Sequence, residues 1–355
     1  MSKFLDKRLQ QTVAYTPGEQ PRDIQYIKLN TNESPYPPAP RVLKAVSEED
    51  IANLRLYSDP TCKVLKEKLA GLYGVTPQNV FVSNGSDDIL NFAFLAFGRE
   101  NGAAFPDITY GFYSVFAQLH GAEYTEIPLK EDFTVDYKDY LGINKFIAIA
   151  NPNAPTGISL PLWQIEEIVK SNPENVVLID EAYVDFGGES CYRLTEKYDN
   201  LLVVRTFSKS RCLAGGRLGY AFGCKELIED IEKIKYSTNP YNINRLTLTL
   251  GEATVDNDGY YQQKCGEIIQ TRKAVKEALE NLGFTVLNSD TNFLFAKSCN
   301  ISGETLYLEL KKRGILVRHF GNERIKDFNR ITIGTPVEME SFIKAVKEIL
   351  SGGKQ

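Results

Sequence analysis

The sequence predicts an α/β protein: a large, doubly wound, mostly parallel sheet domain, a smaller C-terminal α/β domain, and an N-terminal arm ahead of both. Three observations carry this. The apolar runs FIAIA (146–150), NVVLID (175–180) and NLLVVRTF (200–207) are continuous rather than alternating, as strands covered on both faces are. Helical patterns such as LWQIEEIVKS (162–171) fall between them. A long helical segment, 259–283, then leads into a second set of short strands and helices.

Taken in order, residues 1–41 read as an arm, because YTPGEQPRD and NESPYPPAP are too rich in proline and turn formers for a long helix. The large domain spans 42–250. It opens with the helix TCKVLKEKLAGLYG, which ends at glycine, then the strand NVFVS and the largely buried helix DDILNFAFLAF. The C-terminal domain, 251–355, follows the long helix with strands FTVL and TNFLFAK and the helix GETLYLELKKRG. Strands ILVRHF and RITIG and a final helix EMESFIKAVKEIL complete it, and no internal repeat interrupts the pattern.

Composition excludes several classes. The 355 residues supply ample core, at 43% hydrophobic and 25% charged. A net charge of −5 with no basic stripe speaks against nucleic acid. No apolar run approaches the roughly 18 residues of a membrane helix, and MSKFLDKRLQQ lacks the apolar stretch of a signal peptide. Six scattered cysteines without C-x-x-C spacing fit free thiols in the cytoplasm. With only His120 and His319 available, a Ser-His-Asp triad or a histidine metal site has almost nothing to be built from, so no metal is expected. Acid–base work falls to lysine, tyrosine or carboxylates.

Five strand-end segments hold the candidate chemistry. In TFSKSRCLAGGRLGYAFG (206–223), Lys209 sits between two serines directly after a strand, with Arg217 in a glycine-rich turn. Thr206 and Ser208 offer hydroxyls, and Arg217 offers a planar fork, to one anion. NVVLID ends on Asp180 with Tyr183 close behind; a carboxylate in a poorly solvated crevice needs a cationic partner, and a protonated pyridine nitrogen is one. FVSNGSDD (81–88) places Gly85, Ser86 and Asp87 at a helix start, where free N–H groups favour an anion. Tyr110 in PDITYGFY could stack on a flat ring, and NPNAPTG (151–157) could present Asn153 at the sheet edge. Pyridoxal 5′-phosphate needs an amine to attach to, an acid for the ring nitrogen, an aromatic face and a phosphate cradle, and these segments offer all four.

With these motifs in view, the chain resembles a fold-type I pyridoxal-phosphate aminotransferase nearly end to end. LNTNESPYPP (29–38) and GILVRHF…RITIGT (314–335) are similar to the two ends of the histidinol-phosphate branch of that family. The resemblance implies Lys209 as the Schiff-base lysine, Asp180 on the ring nitrogen, Tyr183 on the phenolic oxygen and Tyr110 stacked on the ring. It implies Gly85, Ser86, Asp87, Thr206, Ser208 and Arg217 around the cofactor phosphate. Tyr57, in LYSDP, would reach that phosphate from the partner subunit of a homodimer. Arg330 would take the substrate's acidic group, with Arg318, Tyr15 and Asn32 also on the substrate side. The implied reaction moves an amino group between L-histidinol phosphate and 2-oxoglutarate, giving glutamate. One departure stands out: the family's asparagine before Pro-Thr-Gly is Ala154 here, so the usual bond to the phenolic oxygen is lost unless Asn153 takes it over. Alternatives of the same fold are an aromatic or broad-range aminotransferase and a threonine-phosphate decarboxylase. A non-catalytic pyridoxal-phosphate-binding regulator fits less well, since the arm leaves no room for the DNA-binding domain it needs.

Overall fold

The computed structural model describes residues 2–352. Thirteen strands run in chain order as β1 (Ile27–Lys28), β2 (Val80–Ser83), β3 (Ala103–Pro106), β4 (Tyr124–Ile127), β5 (Phe146–Ala150), β6 (Val177–Asp180) and β7 (Leu201–Thr206). They continue as β8 (Gly219–Phe222), β9 (Phe284–Val286), β10 (Phe293–Ser298), β11 (Ile315–Leu316), β12 (Arg318–His319) and β13 (Phe328–Thr332). Seven of them form the main sheet in the order β2-β8-β7-β6-β5-β3-β4, with β8 alone antiparallel to its neighbours.

The continuous apolar runs have a direct cause. Along β6 and β7, Val177, Ile179, Leu201 and Val203 point to one core with helices Lys63–Tyr73 and Leu162–Ser171. Leu178, Leu202 and Val204 point to a second core with helices Ser86–Phe97 and Phe112–His120. Every residue of β5, β6 and β7 is buried, so neither face can carry a polar side chain without a partner.

The second sheet, β12-β13-β10-β9, is antiparallel and shares a third core with the long helix Asp258–Asn281 and the final helix Pro336–Gly352. The expected single strand ILVRHF is divided at Val317: β11 pairs in parallel with β1 of the arm, whereas β12 pairs with β13. The arm is therefore stitched into the second core through Leu29, rather than lying free beside it. Sequence patterning did not foresee β3, β4 and β8. A proline ends β3, β4 is a half-exposed edge, and β8 begins at Gly219.

Candidate active site

The carboxyl ends of β5, β6 and β7 open into a cavity of about 330 Å³. Ala150, Asp180 and Thr206, the last residues of these three strands, all line it, as open α/β sheets arrange their ligand crevices. Lys209 enters from the loop after β7; its Nζ donates to the Thr31 carbonyl at 3.2 Å and lies 5.7 Å from the Tyr183 ring centre. Tyr183 in turn accepts at its hydroxyl from Asn32 Nδ2 at 2.9 Å.

Asp180 is 4% exposed. Its carboxylate takes hydrogen bonds only from the Tyr113 hydroxyl and the Ala182 N–H, each at 3.2 Å, and among the described residues it forms no ion pair. Burial therefore dominates and pushes its pKa up to about 7, with the nearby Asp87 and Glu181 adding to the rise. Such a group lacks one thing, a cationic or N–H partner on the cavity side.

The other end of the cavity is built for an anion. Gly85 precedes helix Ser86–Phe97 at φ +86°, and no side chain caps the N–H groups there. Glycine is required at 85 by its left-handed φ, and at 219 because a Cβ there would stand 2.4 Å from the Ser86 backbone nitrogen. Arg217 reaches Asp87 at 3.0 Å and Ser208 Oγ at 3.4 Å, while Thr206 Oγ1 accepts from the Ser208 N–H at 3.0 Å. Tyr110 forms a wall, its hydroxyl donating to Asp87 at 2.7 Å.

Beside the cavity, Arg318 and Arg330 are cross-strand partners on β12 and β13. Like charges so placed repel, and neither forms an ion pair among the described residues. Arg330 donates to the Asn30 carbonyl at 3.1 Å and leaves its buried Nε without a partner, between the rings of Phe293 and Phe320. Arg318 holds only the Pro17 and Thr16 carbonyls, at 3.2 and 3.1 Å. Tyr15 stacks on Phe112 at 4.1 Å and stands 6.3 Å from Tyr110.

Asn153 and Tyr57, expected on the cofactor, lie apart from the cavity. Asn153 gives its amide to the Ile108 carbonyl and Thr156 Oγ1, and its oxygen accepts from Thr109, so a full set of internal bonds holds it off the lining. Ala154 takes the lining position instead. Tyr57 is 78% exposed and stacks on Tyr241 at 4.4 Å, outside the lining of this cavity. Asn32, expected on the substrate side, spends its amide on Tyr183 and its oxygen on Thr332. Tyr113 was not foreseen as Asp180's donor; its position just after Tyr110, at the start of helix Phe112–His120, is the signal that could have found it.

The family model for class I and II aminotransferases matches residues 24–346. The chain belongs to that family. This aminotransferase is 51% identical over 352 residues to a histidinol-phosphate aminotransferase of Brachyspira hyodysenteriae, covering 99% of each chain. It is 46% identical over 352 residues to that of Clostridium acetobutylicum, covering 99% of this chain and 100% of the relative. Among solved structures, the aminotransferase superposes on the histidinol-phosphate aminotransferase of Sinorhizobium meliloti, crystallised with pyridoxal-5′-phosphate. The TM-score is 0.85 over 92% of each chain at 23% identity, a likeness of fold.

Proposed function

We propose that this aminotransferase exchanges the amino group of L-histidinol phosphate with 2-oxoglutarate, using pyridoxal phosphate held on Lys209. The observation that carries the reading is the buried Asp180 carboxylate, unpaired by any cation, facing the same cavity as Lys209. The residues fit the cofactor. Asp180 suits a pyridinium N–H, Tyr110 a ring face, and the uncapped helix start with Arg217 and Ser208 a phosphate. Bound there, pyridoxal phosphate supplies a ring that accepts electrons from the substrate's α-carbon. Lys209 then carries the proton at Nζ, and Tyr183, whose oxygen already accepts from Asn32, is free to donate its own proton into the cavity. Asn153 is not assigned to the phenolic oxygen, given its internal bonds. We assign the large cofactor-binding domain to 42–250 and the small C-terminal domain to 251–355.

The Arg318–Arg330 pair supports an acidic substrate, and two adjacent forks suit a phosphate in one half-reaction and a carboxylate in the other. Replacing Arg330 by lysine keeps the charge but loses the fork, and is expected to lower kcat/KM in both half-reactions by about tenfold or more. Arg318→Ala is expected to harm histidinol phosphate more than glutamate. Equal losses would argue for a native substrate without phosphate. Side-by-side assays with histidinol phosphate, phenylalanine and threonine phosphate test the reading; a higher kcat/KM on either of the last two would replace it.

We further assign the enzyme to the cytoplasm, as a homodimer. Free cysteines throughout, and the absence of any helix long and apolar enough to cross a membrane among the described residues, agree with the first. Exposed Ile51, Leu54, Leu56, Tyr57 and Tyr241 support the second, since a patch of this kind favours self-association. In a mixture, Tyr57→Phe and Lys209→Ala chains that exchange subunits are expected to regain turnover at limiting cofactor, above either parent. One hybrid site then has both groups intact. No gain after exchange verified by mass would place Tyr57 outside the partner's site.

A further inference from the structure

We propose that Asp185 is a positioning residue for the Lys209 amine, an inference that rests on the assignment of Lys209 above. Asp185 lies two residues beyond Tyr183, on the short turn Val184–Phe186. Its Oδ2 accepts from Ser210 Oγ and its Oδ1 from Arg205 Nη2, each at 2.5 Å. Ser210 follows Lys209 directly, and Arg205 lies on the strand that delivers it; both are 5% exposed. One carboxylate thus fixes the chain on both sides of Lys209 and ties it to the turn that carries Tyr183.

The clamp is itself anchored. Arg205 Nη1 donates to the Tyr73 hydroxyl at 2.7 Å, Arg211 reaches the same hydroxyl at 3.3 Å, and Arg211 pairs with Asp258. Burial opposes charge on Asp185, but Arg205 and Arg211 outweigh it and hold the carboxyl below the usual range, so it stays ionised. Asp185, Arg205, Ser210 and Arg211 line a second cavity of about 440 Å³ that shares no lining residue with the first. Asp185 therefore acts on Lys209 only through the backbone. A lysine side chain has four rotatable carbons, so its amine is placed only as well as its backbone is.

The test uses the holoenzyme. Ser210→Ala deletes one hydroxyl without altering charge, and Asp185→Asn weakens the same bond from the other side. In each, kcat is expected to fall about tenfold, with KM changing less than about twofold and the visible circular dichroism per bound cofactor about halved, as misplacement predicts. The double variant is expected to be no worse than Asp185→Asn alone, because Ser210 acts through Asp185, whereas Asp185→Asn also weakens the Arg205 pair. Glu196→Gln, which breaks an exposed pair with Arg193, is the control expected to change nothing. Wild-type kcat and dichroism in Ser210→Ala would overturn the proposal, even if its melting temperature fell, since that would be a purely structural contact. This variant decides the matter should Asp185→Asn fail to fold. Borohydride reduction and peptide mapping separate the two failures: label on another lysine overturns the Lys209 assignment, whereas label on Lys209 with unchanged dichroism overturns the clamp alone.

Discussion

Lys209→Ala is expected to abolish transamination, lowering turnover by at least about 10⁴-fold, the upper end for a positioned proton carrier. The amine is at once the attachment point and, among the described residues, the only lysine lining the cavity. The purified wild-type protein is expected to be yellow, and borohydride to bleach it by fixing the cofactor to this side chain. Digestion and mass mapping then locate the mark. Label on a different lysine, or substantial turnover in Lys209→Ala, would remove the residue from its role. Because the Lys209 amine donates only to the Thr31 carbonyl, its loss leaves no buried charge unpaired, and the variant is expected to fold normally.

Asp180→Asn is the second large effect. The isosteric amide keeps a hydrogen bond to Tyr113 but cannot hold a positive charge on the ring nitrogen, so kcat is expected to fall by about 10²–10³-fold. Its consequence for stability is separable and has a definite sign. The folded carboxyl titrates near 7, above its ordinary 3.8, so without cofactor the protein keeps this contribution below pH 3.8 and loses it as pH rises through about 7. A rise of about three units corresponds to up to roughly 4 kcal/mol lost at alkaline pH. Thermal melts of the cofactor-free forms are expected to show Asp180→Asn gaining on the wild type between pH 5 and pH 8. Added cofactor should reverse the gap by giving the carboxylate its partner. A gap independent of pH would mean that Asp180 is already solvated or paired.

Much of this was legible because strand ends are local. Asp180 closes β6 and Lys209 follows β7 by three residues, and the double-sided burial of these strands leaves such residues only one place to go. The arginines were legible as residues but not as a pair: their juxtaposition depends on the register Arg318↔Arg330 and on the break at Val317. Asn153 misled because the turn NPNAPTG specifies a rigid loop but not which way its amides face. Tertiary neighbours Ile108, Thr109 and Thr156 settled that. The bond from Ser210 to Asp185 spans 25 positions and follows no spacing rule, so only the folded chain reveals it.

The stitching of β1 to β11 has a consequence for how the enzyme is made. Ile27 pairs with Ile315, and Asn32, which orients Tyr183, is held by Thr332, 300 positions later. The arm therefore waits for residues made some 300 positions later before its contacts can form. Such distant closures are slow, and the large sheet has its strands in hand well before them. A nascent chain released before β13 is expected to build a sheet with Lys209 in place but its arm unattached. The Thr31 carbonyl and the Asn32 amide would then be missing from the lysine and the tyrosine they hold. Competence for the cofactor thus arrives only after β13 has been made, when the arm meets the second sheet.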